Sequence, residues 1–135
     1  MEKLFVSYEI SLRLKELGFD EPCLGKYCSY NDGDPIELYP ESQNFFKGPG
    51  FQSQSNSYYI EQSVDKVAAP TYQQVTDWLR DKHNIDLWVE KYSIYGDRFY
   101  WQCPVLNDVN NKYDHWGDTY YESLPKGIEV VLTTL

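Results

Sequence analysis

Apolar residues recur along the first stretch of the chain at the spacing of a helix. Val6, Ile10, Leu14 and Leu17 stand at i, i+4, i+8 and i+11, and Phe5, Tyr8 and Leu12 widen the same stripe. Glu9, Arg13, Lys15 and Glu16 fill the polar side, and Gly18 stops the helix because glycine enters the left-handed conformation at little cost. The start has two readings: the helix begins near Phe5, or Ser7 is its N-cap and residues 3–6 are an extended lead-in. A second helix carries stronger punctuation. Thr71 and Gln74 form a T-x-x-Q capping box, Tyr72, Val75, Trp78 and Leu79 make the stripe, and Asn84 supplies the stop. A third follows Thr119, which makes a T-x-x-E box with Glu122 and precedes the stripe Leu124, Ile128, Val131 and Leu135. Pro125 would fall inside that helix, so Ser123 competes with Thr119 for the cap and an irregular start is expected.

Between the helices the pattern predicts strands. Leu24–Tyr30 and Pro35–Tyr39 flank Asn31-Asp32-Gly33, a turn sequence that suits a hairpin. Ile85, Leu87 and Val89 alternate with polar or ring residues, Tyr95-Gly96-Asp97 turns the chain, and Arg98–Cys103 returns until Pro104 ends the pairing. Residues 42–63 lack any period and read as a flexible Ser/Gln/Asn-rich insertion loop, and residues 105–118 read as loop again. These elements predict a single α+β domain over residues 1–135. About three helices would pack on an antiparallel sheet of about four strands.

Composition changes the picture in two ways. Thirteen Tyr, six Phe and four Trp make 17% of the chain aromatic. The mean hydropathy of −0.62 is therefore compatible with a packed core, because Tyr scores as polar yet packs as a ring. Rings also concentrate at partner surfaces. Phe45, Phe46, Phe51, Tyr58 and Tyr59 in the long loop either tuck back on the body or wait for a partner; Trp88, Trp101, His115 and Trp116 are further candidates for ligand or partner contact. The formal net charge is −9. It argues against a basic nucleic-acid clamp, so no direct nucleic-acid binding is expected. The acids are spread along the chain, which fits a solvated surface or a face that imitates nucleic-acid charge.

Motifs for chemistry are sparse. Asp114-His115 with Asp118, joined through folding by Cys103 or His83, is the best catalytic constellation, and it is equally a loop that leads into a helix. Cys23 and Cys28 with His83 or His115 have the residue types of a zinc site but no Cys-x2-Cys knuckle, and the acids near Gly33 do not have EF-hand spacing. Neither a catalytic residue nor a metal or other cofactor is assigned. Three cysteines cannot all pair within one chain, and no secretory pattern or membrane-spanning run is visible, so a reduced, cytoplasmic setting is expected.

Three stretches carry a resemblance. Leu14-Lys15-Glu16-Leu17-Gly18-Phe19 followed by Asp20-Glu21-Pro22-Cys23, the run Ala69-Pro70-Thr71-Tyr72-Gln73-Gln74-Val75-Thr76-Asp77-Trp78-Leu79-Arg80-Asp81-Lys82-His83-Asn84-Ile85, and Tyr120-Tyr121-Glu122-Ser123-Leu124 together resemble small uncharacterised proteins of gut Bacteroidetes, their phages and mobile elements. The similarity spans nearly the whole chain outside the long loop. It implies a genomic setting and no activity. Gly117–Leu124 after two strands is also similar to the strand–strand–helix ending of HicB-type antitoxin cores, from which Pro125 and Gly127 depart. The expectation is a non-enzymatic protein-interaction module, a phage or mobile-element accessory or counter-defence protein that binds a protein partner through an acidic, ring-rich surface. The alternatives are a small-ligand or nucleotide-binding protein with Trp88, Trp101 and His115 around a pocket, and an antitoxin-type module. A homodimer is compatible with each.

Overall fold

Ser7 decides where the first helix begins. Its backbone is extended (φ −66°, ψ 165°) and its hydroxyl accepts the Ile10 N–H at 3.2 Å, so helix α1 runs Tyr8–Glu16 and the lead-in stays outside it. The chain leaves α1 through Gly18 (φ +90°), with Phe19 N–H returning to Leu14 O at 2.8 Å and the Phe19 ring buried. The computed structural model describes residues 2–29, 33–40, 54–61, 65–94, 96–106 and 112–135. Its contacts divide the chain into two compact units, residues 1–74 and 75–135.

In the first unit, strand β1 (Gly25–Cys28) lies between β2 (Glu37–Pro40) and β3 (Val67–Ala69), antiparallel to both. Tyr27 pairs with Leu38 on one side and Val67 on the other. Gly25 is required by packing: a Cβ there would come within 2.7 Å of the Phe5 ring. Helix α1 packs against β3, and the lead-in is stitched on by Val6 N–H to Pro70 O at 3.0 Å and a bridge between Phe5 and Thr71.

Part of the 42–63 stretch departs from the loop expected there. Gln54 bridges Cys23, and Asn56–Glu61 form a short helix, α2. Asn56 explains why. It is 4% exposed, its amide donates to Phe19 O at 2.9 Å, and its side-chain oxygen accepts the Ala68 N–H at 2.9 Å. One polar side chain thus joins α2 to the end of α1 and to β3. Asp20 accepts from Ser57 N–H at 2.7 Å and from the Ser57 hydroxyl at 2.5 Å, which pulls its carboxyl below the usual carboxylate range.

Helix α3 (Tyr72–His83) opens on the last residues of the first unit and continues into the second. The Thr71–Gln74 box closes in both directions, with Thr71 N–H on Gln74 Oε1 at 3.0 Å and Gln74 N–H on Thr71 Oγ1 at 3.2 Å. Asn84 ends the helix at φ +54°. Strands β4 (Trp88–Tyr92), β5 (Arg98–Gln102) and β6 (Trp116–Gly117) follow as an antiparallel sheet in chain order. Helix α4 (Tyr120–Thr133) packs on this sheet through Leu124, Ile128, Val131 and Leu132. Gly127 permits the approach, since a Cβ there would stand 2.9 Å from the Trp101 ring.

The chain is α+β, with four α-helices and two three-stranded antiparallel sheets among the described residues. The expected counts of about three helices and one sheet of about four strands are corrected. Each hairpin recruits its own third strand, β3 or β6, instead of joining the other hairpin. The α4 cap is Thr119, whose hydroxyl accepts the Glu122 N–H at 3.2 Å, and Pro125 is accommodated inside the helix. Among the described residues no helix is long and apolar enough to cross a membrane.

Candidate functional site: the open face of the second sheet

Period two along β4 and β5 sorts their side chains into two sets. Trp88 pairs with Gln102, Glu90 with Tyr100, Tyr92 with Arg98, and Tyr100 with Trp116. These seven residues therefore share one face. The alternate positions, Val89, Phe99 and Trp101, point to the other, where α4 covers them and Trp101 is fully buried. On the first face Trp88, Glu90, Tyr92 and Arg98 are exposed, and Tyr100, Gln102 and Trp116 are half-buried.

The face is built of rings in edge contact. Tyr92 meets Trp116 at 5.5 Å between centroids and Tyr100 at 6.0 Å, and Tyr100 meets Trp116 at 4.8 Å, all near perpendicular. Arg98 lays its guanidinium 5.2 Å from the Trp116 centroid and reaches Asp118 at 3.9 Å. At the β4 edge Glu90 lies between two rings. Its carboxylate accepts from Trp88 Nε1–H and from the Tyr92 hydroxyl, each at 3.1 Å. Those two bonds hold the Glu90 carboxyl below its ordinary range, and the same carboxylate pushes the Tyr92 phenol up. The result is an ionised acid between one indole and one phenol ring. Trp88 remains 39% exposed and Tyr92 36% exposed.

The other sequence candidates fall in different places. Phe45, Phe46 and Phe51 lie outside the described residues. Tyr58 is exposed on α2, beside Tyr59 at 5.8 Å, while Tyr59 is buried and belongs to the core of its unit. Trp101 and His115 are likewise buried. Trp88 stands exposed on the first face of the sheet. His115 stacks on Trp101 at 3.9 Å and on Tyr100 at 4.5 Å. Its Nδ1 lies 2.8 Å from Trp101 O; a carbonyl only accepts, so this nitrogen carries the proton and donates it.

Asp114, His115 and Asp118, read from the sequence as a catalytic grouping or equally as a loop, each have partners of their own. Asp114 pairs with Lys126 Nζ at 2.6 Å and accepts the Trp116 N–H at 3.1 Å, and these bonds lower its pKa. His115 Nδ1 is held by the Trp101 backbone carbonyl, and Asp118 stands beside Arg98. The cysteines are all buried and free. Burial pushes the Cys23 thiol up to about 12, with Glu21 adding to the shift, and burial also raises Cys103, so neither is poised as a nucleophile. No group of three or more metal-binding side chains gathers among the described residues.

Sequence reasoning named Trp88 and Trp116 but missed Glu90, Tyr92, Arg98 and Tyr100. The signal was present in the alternation that set Ile85, Leu87 and Val89 on one side, because the residues between them must then face the other way. Comparison with protein-family models, curated proteins and solved structures finds no match.

Proposed function

We propose that the chain is a non-enzymatic protein-interaction module that receives a basic segment of a partner protein on the open face of its second sheet. The observation that carries this reading is the Trp88–Glu90–Tyr92 arrangement, an ionised carboxylate held between two exposed rings. A guanidinium or ammonium group laid over an aromatic face gains from the ring quadrupole, and the adjacent carboxylate supplies the opposite charge. The chain's net charge of −9 adds a long-range field that draws basic surfaces toward it. Rings already packed edge to edge lose little freedom on binding, which favours affinity. In the phage or mobile-element setting implied by the resemblance, a partner that fits is a host protein whose basic surface otherwise binds nucleic acid. Occupying that surface would be an accessory or counter-defence activity.

A titration followed by the indole N–H signals tests this reading with two defined probes, an arginine-rich peptide and a glutamate-rich peptide of equal length. The arginine peptide is expected to move the Trp88 and Trp116 signals. Its affinity should fall by about tenfold in Trp88→Ala/Tyr92→Ala and fall again with added salt. Equal binding of the acidic peptide, or unchanged binding by the double variant, overturns the proposal.

A further inference from the structure

Among the described residues β2, β3, β4 and β6 form the edges of the two sheets. Three of these are poor templates for another chain: Pro40 ends β2, β3 is three residues long, and β6 is two. Strand β4 has five residues and no proline. The pairing of β5 shows which of its backbone groups turn outward. Trp101 N–H donates to His115 O at 3.0 Å, and Trp101 O accepts from His115 Nδ1 at 2.8 Å, so both backbone groups of Trp101 turn toward β6. Successive residues of a strand turn these groups to opposite sides, so those of Tyr100 turn toward β4, where they meet Glu90. On β4 the groups of Trp88, Glu90 and Tyr92 therefore turn inward, and Val89 and Lys91 present their N–H and C=O outward. Beyond them no strand follows among the described residues.

That pattern sets what a further strand would carry. Antiparallel to β4, it would bond through Val89 and Lys91 and stand in non-hydrogen-bonded pairs with Trp88, Glu90 and Tyr92. Side chains come closest in such pairs, at about 4.5 Å between Cα atoms. The residue opposite Glu90 thus meets an exposed carboxylate with a ring on either side, a place for arginine or lysine. Arg98, the basic residue of this face, lies one strand further in, over Trp116 and beside Asp118. On the other face Val89 is half-buried and Lys91 is held by Asp97 at 3.3 Å, so the positions beside them suit an apolar and a polar residue. A second copy of the chain fits less well. The antiparallel register that pairs the whole of β4 with itself sets Glu90 against Glu90, and like charges directly opposite are destabilising.

We infer that the partner segment adds to the β4 edge as an extended strand, with alternate basic residues toward Trp88, Glu90 and Tyr92. This rests on the reading of the face as a receptor for basic segments and adds the backbone pairing to it. The probe is an end-blocked peptide, Ser-Arg-Thr-Arg-Val-Arg-Ser, together with two isomers that each carry two backbone N-methyl groups. Methyl groups on its Thr and Val remove the N–H groups that would donate to Lys91 O and Val89 O, whereas methyl groups on its first and last Arg leave those bonds intact. The first isomer should bind the unaltered chain at least about tenfold more weakly than the parent peptide, and the second within about threefold of it. In the parent complex the Val89 and Lys91 amides should exchange more slowly than in the chain alone. If the parent moves the Trp88 and Trp116 indole signals while both isomers bind equally well, the segment lies across the rings without joining the sheet; that overturns the inference and leaves the proposed function standing. Absence of binding by the parent overturns both. Protection of the Val89 and Lys91 amides in the chain alone, rising with its concentration, assigns the edge to a second copy and also overturns the inference.

Discussion

Ser11 lies on the buried side of α1, fully enclosed, and its hydroxyl has no hydrogen-bond partner. A buried hydroxyl without a partner costs its desolvation and gains nothing in exchange, and serine is also a poorer helix former than alanine. Ser11→Ala is therefore expected to stabilise the protein by about 1 kcal/mol, read as a higher urea midpoint with an unchanged slope. A lower midpoint would show that the hydroxyl is satisfied and the account of it wrong. At the same scale the aromatic residues show what a sequence leaves open. Trp88 and Trp101 are the same residue type on neighbouring strands, yet one stands 39% exposed beside Glu90 and the other is sealed under Gly127. Composition is blind to that difference. Strand register settles it, and register depends on pairing that only the folded chain reveals.

Elements bounded by capping chemistry were legible, because a cap is a local bargain between side chain and backbone. Gly18, the Thr71–Gln74 box and Asn84 act where the pattern put them, and Ser7 decides between the two starts that the pattern left open. Strands β3 and β6 were not legible. Val67-Ala68-Ala69 contains one strong strand former and runs into Pro70, and Trp116-Gly117 is two residues long; both are strands because a paired neighbour offers hydrogen bonds. Helix α2 was hidden for a similar reason, since Asn56 is fixed by Phe19 and Ala68, which are remote in sequence. The choice between Thr119 and Ser123 was decided at longer range too. Ser123 is buried and gives its hydroxyl to His115 O at 2.9 Å, so it secures α4 to the strand edge while Thr119 caps. Thr119→Ala should accordingly cost about 1 kcal/mol and fray the first turn of α4. The check is amide exchange at Tyr121 and Glu122, which should quicken; unchanged protection there would return the cap to Ser123.

Over the whole molecule, charge sets how stability responds to solution conditions. Arg13–Glu16, Arg80–Asp86 and Lys91–Asp97 join exposed partners, and ion pairs of that kind contribute little each. Acid titration reaches two sets of carboxylates in opposite ways. Ordinary surface acids protonate first, and with a net charge of −9 this relieves repulsion in the folded state. Asp20, Glu90 and Asp114 behave differently, because hydrogen bonds from Ser57, from Trp88 and Tyr92, and from Lys126 hold their folded pKa values below the ordinary 3.8 of Asp and 4.5 of Glu. A depressed folded value means that the contribution is complete above the ordinary pKa and is lost as pH falls through the folded one. Stability should therefore hold or rise slightly from neutral pH to about 5, then fall below the ordinary carboxylate values. Urea midpoints measured across that range check the shape. Asp20→Asn isolates one contributor, since its side chain still accepts from Ser57 but no longer titrates. Its acid limb should be shallower than that of the unaltered chain; an identical limb would mean that the Asp20–Ser57 pair has no part in acid unfolding. The open sheet face lies under the same control, because protonating Glu90 removes the charge between Trp88 and Tyr92 on which a basic partner would pair.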